Sequence, residues 1–237
     1  MLEILYEDKY ILAVHKPAGL ATQTSKVYEK DLVSEVNAYL AQKQAGNSSR
    51  NQHVGLINRL DQPVEGIVLF GLNPKTTANL TKMLQDGKID KYYYAAVSCD
   101  KDCYIESDSW LRVEDYLVKD GKTNTSRVVQ KNENGAKKAI LDYKIMTIKQ
   151  DEHLGLLNIH LITGRHHQIR VQMSHAGLPL MGDLKYAPGS VRDMSRTLGI
   201  RTVALCAYNL IFNHPVSGDK VNISIKPNGL WFEMFGR

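Results

Sequence analysis

The sequence predicts an α+β domain in which a mixed, mostly antiparallel sheet is flanked by a few helices. Two observations favour this class. Strand-like segments follow one another mostly through turns, as antiparallel neighbours do. Segments with helical periodicity are few, which disfavours a doubly wound parallel sheet. With 237 residues the chain is expected to form one domain, over residues 1–237.

The first third of the chain contains two strands and a helix start. Residues 3–6 and 10–14 are predicted to pair as strands across a short polar turn. Asp31 is predicted to cap a helix, because an aspartate side chain can accept a hydrogen bond from the first turn. The residues expected on the buried face of this helix are Leu32, Val36 and Leu40. Residues 44–52 have the composition of a flexible surface loop.

A second helix is predicted to begin at Asn73-Pro74, since asparagine is a good cap and proline fits the first helical position. Gly87 is expected to end it, and its buried stripe is expected to contain Leu80, Met83 and Leu84. A turn opened by Gly164 leads into a further helix-like stretch that Gly177 closes. The remaining strands are predicted at residues 92–98, 113–118, 127–130, 139–149, 156–162, 202–212 and 221–226.

Composition excludes several classes of protein. No apolar run approaches the length of a membrane span, and the beginning of the chain lacks the basic and apolar regions of a signal peptide. The three cysteines (Cys99, Cys103 and Cys206) do not form a disulfide framework or a zinc-binding pattern. We therefore expect reduced thiols, a cytoplasmic protein and no metal ion.

The net charge of +5 is unevenly distributed. Residues 100–115 are mainly acidic, whereas residues 119–138 contain six cations and two anions. Such a basic segment can neutralise phosphates, which would make binding sensitive to salt. Its candidate phosphate contacts are Lys122, Arg127 and Lys131, and the alternative is a solvated hairpin with no partner.

A lone carboxylate, Asp61, stands in the segment Asn-Arg-Leu-Asp-Gln-Pro, followed closely by an apolar run. Its apolar flanks suggest a position near the core, where an ionised carboxylate needs a cationic partner. The downstream segment at residues 163–170, Thr-Gly-Arg-His-His-Gln-Ile-Arg, contains two candidates for that partner, Arg165 and Arg170.

These segments, together with others in the same order, resemble the RluA-type pseudouridine synthases. The matching blocks are the opening residues 4–8 and 16–20, the Arg-Leu-Asp triplet at 59–61, Lys-x-Tyr-x-Ala at 91–95, the block from Thr163 through Gly182-Asp183 to Tyr186, and His214-Pro215. The resemblance implies the pseudouridine synthase fold and isomerisation of a specific uridine in structured RNA. The expected partner is a stem-loop of ribosomal or transfer RNA, bound by a monomer without cofactor or nucleotide. Many members carry an additional S4-type RNA-binding domain; none is recognised before Ile4, so we expect the catalytic domain to recognise RNA by itself.

The resemblance also assigns a catalytic role to three residues. Asp61 is the matched catalytic residue, and it could attack ribose C1′, add to the base or remove a ribose proton. All three roles require the ionised form. Arg170 occupies the position of its cationic partner, since a planar guanidinium can hold a carboxylate through two bonds. Tyr93 occupies the position whose ring stacks on uracil and whose hydroxyl could move a proton.

Further residues are assigned to RNA binding. The target uridine must leave its stack, and Arg59 matches the residue that fills the vacated space. Arg165 and His167 could contact phosphate or orient their own loop.

The chain departs from the family at three places, since Asn58, Glu65 and Cys206 stand where other residues are usual. Two other functions compete with this one: a non-catalytic RNA-binding protein that keeps the scaffold, and a base-excising glycosidase. A second carboxylate, which glycosidases usually need, is missing from the matched loop.

Overall fold

A computed structural model describes residues 2–26, 28–43, 53–99 and 109–236. The strands within this part of the chain are, in order, β1 (Glu3–Glu7), β2 (Ile11–Lys16), β3 (Gly55–Leu56), β4 (Glu65–Gly71), β5 (Ile89–Ser98), β6 (Leu111–Asp120), β7 (Thr125–Val129), β8 (Lys137–Lys149), β9 (Leu154–Leu161), β10 (Leu205–Asn213) and β11 (Lys220–Ser224). The helices are α1 (Leu32–Lys43), α2 (Pro74–Gln85), α3 (Gln168–His175), α4 (Gly189–Thr197) and α5 (Leu230–Glu233).

The chain divides into two compact units. The first contains Met1–Asp90 and Ala207–Lys226, and the second contains Lys91–Cys206 and Pro227–Arg237. The expectation of a single domain over residues 1–237 stays a prediction. The expected surface loop at residues 44–52 lies outside the described residues, and so do Cys103 and most of the acidic segment.

In the first unit, antiparallel pairs join β1 to β2, β2 to β4, β3 to β4 and β10 to β11. Strands β2 and β4 are buried along their whole length. The apolar face of α2 packs on the same core, to which Leu80 contributes a fully buried side chain. Two segments are therefore attached to buried strands. Residues 17–20 follow β2, and residues 57–64 precede β4.

Both predicted helix starts in this unit are confirmed. The Asp31 carboxylate accepts the backbone N–H of Ser34 at 2.7 Å, and α1 buries the three expected apolar residues. The Asn73 side chain accepts the N–H of Thr76 at 2.8 Å. Helix α2 ends at Gln85, and Gly87 follows with a φ of +70°.

The second unit is built on an antiparallel series in which β5 pairs with β9, β9 with β8, β8 with β6 and β6 with β7. In β5, Tyr93 is buried whereas Tyr92 and Tyr94 are half-buried, so Tyr93 lies on the opposite face of the strand from its two neighbours. Helix α3 follows the turn at Gly164, and Gly177 lies two residues beyond its end with a φ of +79°. The predicted α+β class is confirmed. Among the described residues, no helix is long and apolar enough to span a membrane.

Candidate functional site

The loop that carries Asp61 is held in place from the residue before it. Leu60 exchanges two hydrogen bonds with the buried Thr22 side chain, whose hydroxyl donates to the Leu60 carbonyl at 2.8 Å and accepts its N–H at 3.2 Å. Asn58 is anchored to β4, because its side chain accepts the N–H of Leu69 at 2.8 Å and donates to the carbonyl of Ile67 at 3.1 Å. Asn58, one of the departures from the family, therefore fixes the start of this loop.

The residues after Asp61 are anchored as well. The Gln62 carbonyl accepts the N–H of Gly19 at 2.8 Å and the ammonium of Lys16 at 3.2 Å. The N–H of Val64 donates to the carbonyl of Asp61 at 3.0 Å, which closes a tight turn around the carboxylate. With both sides fixed to buried strands, the backbone of Asp61 is preorganised, while its side chain is half-buried and Arg59 is exposed.

Lys16 lies beside this loop, and it was not among the site residues predicted from the sequence. Its side chain is fully buried, and its ammonium also donates to the carbonyls of Pro17 at 3.0 Å and Leu20 at 2.7 Å. Burial lowers the pKa of Lys16 to about 8, although the carboxylates of Asp61 and Glu65 favour its charged form. The signal that could have identified Lys16 is the Lys-Pro pair at the end of an apolar strand.

Glu65, a second departure from the family, is buried and contacts His15, which also contacts the exposed Glu3. The Nε2 atom of His15 lies 2.9 Å from Glu65, and its Nδ1 atom lies 2.7 Å from Glu3. The hydrogen bond to Glu65, more than any other influence, raises the pKa of His15 above its usual range. The negative charge of Glu65 is therefore partnered inside the protein.

In the second unit, Gln168 fastens the turn of the Thr-Gly-Arg segment. Its carbonyl oxygen accepts the Thr163 hydroxyl at 2.8 Å and the Arg165 N–H at 2.9 Å, while its amide donates to the carbonyl of Ile140 at 3.0 Å. The Arg165 side chain is exposed, and its Nε donates to the carbonyl of Lys138 at 2.9 Å. The turn is thus tied to β8.

Arg170 is buried on α3 and binds Asp183 through two parallel hydrogen bonds. Its Nε and Nη2 atoms lie 2.7 and 2.8 Å from the two carboxylate oxygens, and the two side chains are only 4% and 1% exposed. The guanidinium also lies over the Tyr186 ring at 5.2 Å. Such a bidentate pair fixes the plane of the guanidinium, so Asp183 determines its orientation. Sequence reasoning did not select Asp183 for the site, although it lies in the matched Gly-Asp pair.

His167 directly precedes α3 and has a left-handed conformation, with a φ of +54°. Its side chain is buried, and Nδ1 lies 2.6 Å from the Tyr186 hydroxyl, which also accepts the N–H of Ser126 at 2.8 Å. Tyr186 therefore connects β7, the start of α3 and the guanidinium of Arg170. The assignment of His167 as an RNA contact stays a prediction.

Tyr93 and Lys91 point to the buried side of β5. Gly164 lies close to Lys91, since a Cβ built on this glycine would approach the Lys91 ammonium to 3.8 Å. Lys91 on β5 and the Thr-Gly-Arg turn are therefore neighbours within the second unit.

The predicted basic contacts lie on the β6–β7 hairpin and the turn after it. Lys122 is exposed at the hairpin turn. Arg127 pairs with Glu133, and both line, with Lys131, an 870 Å³ cavity. The described residues contain no cluster of three or more histidine, cysteine or acidic side chains that could hold a metal ion.

A family model described as RNA pseudouridylate synthase matches residues 10–175. The chain belongs to this family. It is 28% identical to the tRNA pseudouridine synthase C of Vibrio vulnificus over 100% of this chain and 95% of the relative. It is also 28% identical to the ribosomal large subunit pseudouridine synthase D of Zymomonas mobilis over 93% of this chain and 68% of the relative.

Among solved structures, the human RNA pseudouridylate synthase domain containing 4 aligns with a TM-score of 0.75 at 20% identity, covering 98% of this chain and 92% of the other. This likeness supports the pseudouridine synthase fold. As a member of the family, the protein is an isomerase that converts uridine to pseudouridine in RNA.

The predicted site residues of this pseudouridine synthase fall in both units. Arg59 and Asp61 belong to the first unit, whereas Tyr93, Arg165 and Arg170 belong to the second. The family match includes all five of these residues but ends before Asp183 and Tyr186, the two residues that bind and cover the Arg170 guanidinium.

Proposed function

We propose that this synthase isomerises a specific uridine in a structured transfer RNA, with Asp61 as its catalytic carboxylate. The observation that carries the proposal is the position of Asp61 in a loop whose backbone is bonded on both sides to buried Thr22 and Lys16. The choice of transfer RNA rests on relatives named tRNA pseudouridine synthase C, which match over nearly their whole length. Ribosomal RNA is the second candidate, supported by the relative named for the large ribosomal subunit.

The reaction breaks the bond from ribose C1′ to N1 of uracil and forms a bond from C1′ to C5. The proton on C5 leaves, and N1 becomes protonated, so no oxidant and no external nucleophile is needed. In this proposal Asp61 acts in its ionised form, as all three possible roles demand. Arg170 is its cationic partner and is aimed by Asp183. Tyr93 stacks on the uracil and moves a proton.

RNA binding in this proposal is divided among several residues. Arg59, exposed beside the anchored Leu60, fills the space that the flipped uridine leaves. Arg165 and the three hairpin cations Lys122, Arg127 and Lys131 neutralise phosphates. His167 is buried against Tyr186, so its part is to orient the turn that carries Arg165.

The same proposal includes a single catalytic domain that works as a monomer in the cytoplasm without a cofactor. The low cysteine content supports the compartment, and a reaction that is an internal rearrangement of its substrate supports the lack of a cofactor.

The test is an assay on RNA labelled with tritium at C5 of uridine, because formation of the C1′–C5 bond releases this label to water. Wild-type protein is incubated separately with unfractionated transfer RNA and ribosomal RNA, and the products are analysed for pseudouridine and free uracil. Pseudouridine in transfer RNA is the expected product. Free uracil would indicate a glycosidase, and RNA binding without either product would indicate a non-catalytic binder.

Asp61→Asn should reduce pseudouridine formation by at least about a hundredfold, since an amide of the same size is neither a base nor a nucleophile. RNA affinity and melting temperature should change little. A variant that retains activity within about tenfold of wild type would exclude Asp61 as the catalytic residue.

A further inference from the structure

The second unit contains a concave surface near the turn of the β6–β7 hairpin, with a volume of about 540 Å³. We call this surface the basin. Its cationic and ionisable lining consists of Lys119 on β6, Lys137 on β8, and Arg165 and His166 on the turn before α3. Neither Lys119, Lys137 nor His166 was among the predicted RNA contacts.

None of the described residues that line the basin is acidic. The neighbouring cavity of 870 Å³ differs, because Glu114, Asp115 and Glu133 line it. The acids near the basin residues in sequence have partners elsewhere, and Glu133, which precedes Asn134, pairs with Arg127. The Asp120 carboxylate accepts the Lys122 N–H at 2.8 Å and the Thr123 hydroxyl at 2.9 Å. Glu114 pairs with Lys138 at 2.7 Å. The basin therefore carries an excess of positive charge, and the larger cavity does not.

The wall made by the turn before α3 is held in a fixed position. Arg165 is anchored through its Nε to the carbonyl of Lys138 at 2.9 Å. The two ring nitrogens of His166 lie 2.9 Å from the Ser126 hydroxyl and 3.1 Å from the Asn124 side chain, and the ring stacks on His167 at 3.7 Å. Preorganised cations lose less freedom on binding an anion than mobile ones do.

The lining also indicates which part of an RNA would fit. Apart from His166, whose ring is stacked on His167, no aromatic side chain of the described residues lines the basin, so it offers no platform for bases. Two glycines in the lining, Gly135 and Gly164, leave room for a bulky anion to approach the backbone. Cations without aromatic rings are suited to phosphate and ribose, which carry no sequence information.

We propose that the basin binds the phosphate–ribose backbone of the substrate RNA, independently of its sequence. This inference rests on the proposed function, because it takes RNA as the ligand. It assigns to Lys119 and Lys137 a positioning role that the family resemblance did not give them.

The test is the double variant Lys119→Gln/Lys137→Gln, measured on two short RNA stem-loops of equal secondary structure and different stem sequence. The dependence of log affinity on log salt concentration should become shallower by about one to two units on both RNAs, since each lost phosphate contact removes about 0.7–0.9 units. The charge-conserving variant Lys119→Arg/Lys137→Arg should restore the wild-type slope. A matched control, Lys149→Gln/Arg196→Gln, removes two cations of the same unit that pair with Glu152 and Asp193, and it should leave the slope unchanged.

The proposal that the basin binds the RNA backbone would be overturned by an unchanged slope in a folded double variant. An equally shallow slope in the control would also overturn it. A loss on only one stem sequence would also overturn it, because the basin would then read bases. Pseudouridine formation by the wild-type protein is measured in parallel on unfractionated RNA. If the wild type is active and the slope does not change, only the basin fails; if the wild type forms no pseudouridine, the proposed function fails whatever the slope.

Discussion

His15 is a buried side chain that contacts two carboxylates, one on each side of its ring. It is only 7% exposed and bridges the exposed Glu3 on β1 to the buried Glu65 on β4, the strand that follows the Asp61 loop. The next residue along β2 is Lys16, whose ammonium is also influenced by Glu65. A buried carboxylate needs a charged or hydrogen-bonding partner, and His15 is such a partner for Glu65.

The pKa of His15 is raised in the folded protein, chiefly by the hydrogen bond to Glu65. The resulting stabilisation should be fully present below the unfolded pKa of about 6.5 and should be lost as the pH rises through the folded value. Glu65→Gln should move the His15 pKa down, as followed by NMR titration of the imidazole C–H signals. Glu29→Gln, which removes an exposed partner of Lys26, is the control and should have no effect. A wild-type His15 pKa at or below the ordinary value would show that the hydrogen bond to Glu65 does not raise it.

Arg59→Ala tests whether the exposed arginine supports the flipped state. Flipping a stacked uridine costs a few kcal/mol, and a side chain that occupies the gap offsets part of that cost. The variant should react slowly with a uridine in a stacked stem and much less slowly with one in an open loop. Single-turnover rates on two RNAs with the same target sequence make the comparison. Equal losses on both would assign Arg59 to the chemistry or to simple phosphate binding.

At the scale of elements, β4 begins where the Asp61 loop ends, and Gly66 determines how closely it approaches β10. Gly66 has a φ of +142°, and a Cβ at this position would lie 2.5 Å from the Ala207 Cβ and 2.6 Å from the Ala207 N. A side chain here would therefore meet both a strained backbone and a neighbouring strand. The glycine lets two strands of the first unit pack without distorting the loop before it.

Gly66→Ala should lower the free energy of unfolding by about 2–3 kcal/mol, because overpacking a core forces backbone shifts. Gly87→Ala is the matched control. Gly87 also has a positive φ, +70°, but nothing lies within 4 Å of an added Cβ, so only about 1 kcal/mol of backbone strain is expected. Denaturant unfolding of both variants measures the difference. Equal losses would mean that the close approach to Ala207 contributes nothing.

Elements whose signals are local could be predicted from the sequence. The caps at Asp31 and Asn73 act within one turn, so the residues themselves specified both helices. Helix α4 was not predicted, and it has no side-chain cap: Pro188 precedes it, and it buries only Val191 and Ser195. Its position depends on tertiary contacts, such as the bond from the Gly182 N–H to the Ser195 hydroxyl at 2.9 Å.

The candidate site shows the same division. Asp61 and Arg170 could be selected because they lie in matched motifs, but the choice of ion-pair partners depends on the folded chain. The pairing of Arg170 with Asp61 stays a prediction, whereas the structure shows Asp183, thirteen residues along the chain, as a bidentate partner of Arg170. Likewise, no local pattern identifies His15 as the partner of Glu65, since fifty residues separate them.

At the scale of the whole molecule, the net charge of +5 says less about RNA binding than the distribution of that charge. Exposed lysines on α1 and α2 have acidic neighbours, as in the pairs of Lys43 with Glu7 and Lys82 with Asp86. Residues 119–138, which include the turn of the β6–β7 hairpin, strand β7 and the start of β8, contain six cations and two anions. Association with a polyanion should therefore be governed by the hairpin and less by the overall charge.

Neutralising Lys122, Arg127 and Lys131 together, each to Gln, should flatten the salt dependence of RNA binding. Arg127 pairs with Glu133 at the surface, and such exposed pairs contribute only about 0–1 kcal/mol. A phosphate can therefore compete for the guanidinium, but the remaining Glu133 charge opposes it. We accordingly expect a change in slope closer to two contacts than to three, or roughly 1.5–2 units.

The control for this triple variant removes the same charge from the first unit, through Lys26→Gln, Lys82→Gln and Lys88→Gln, three exposed lysines that lie beside Glu29 or Asp86. Affinity for one RNA stem-loop is measured across a series of salt concentrations for wild type and both variants. If net charge alone governed binding, the two variants would change the slope equally, because each loses three positive charges. If the hairpin is the phosphate-binding surface, only the first variant changes it. An unchanged slope in the hairpin variant would show that these three residues lie outside the RNA path, and the hairpin would then be a solvated surface without a partner.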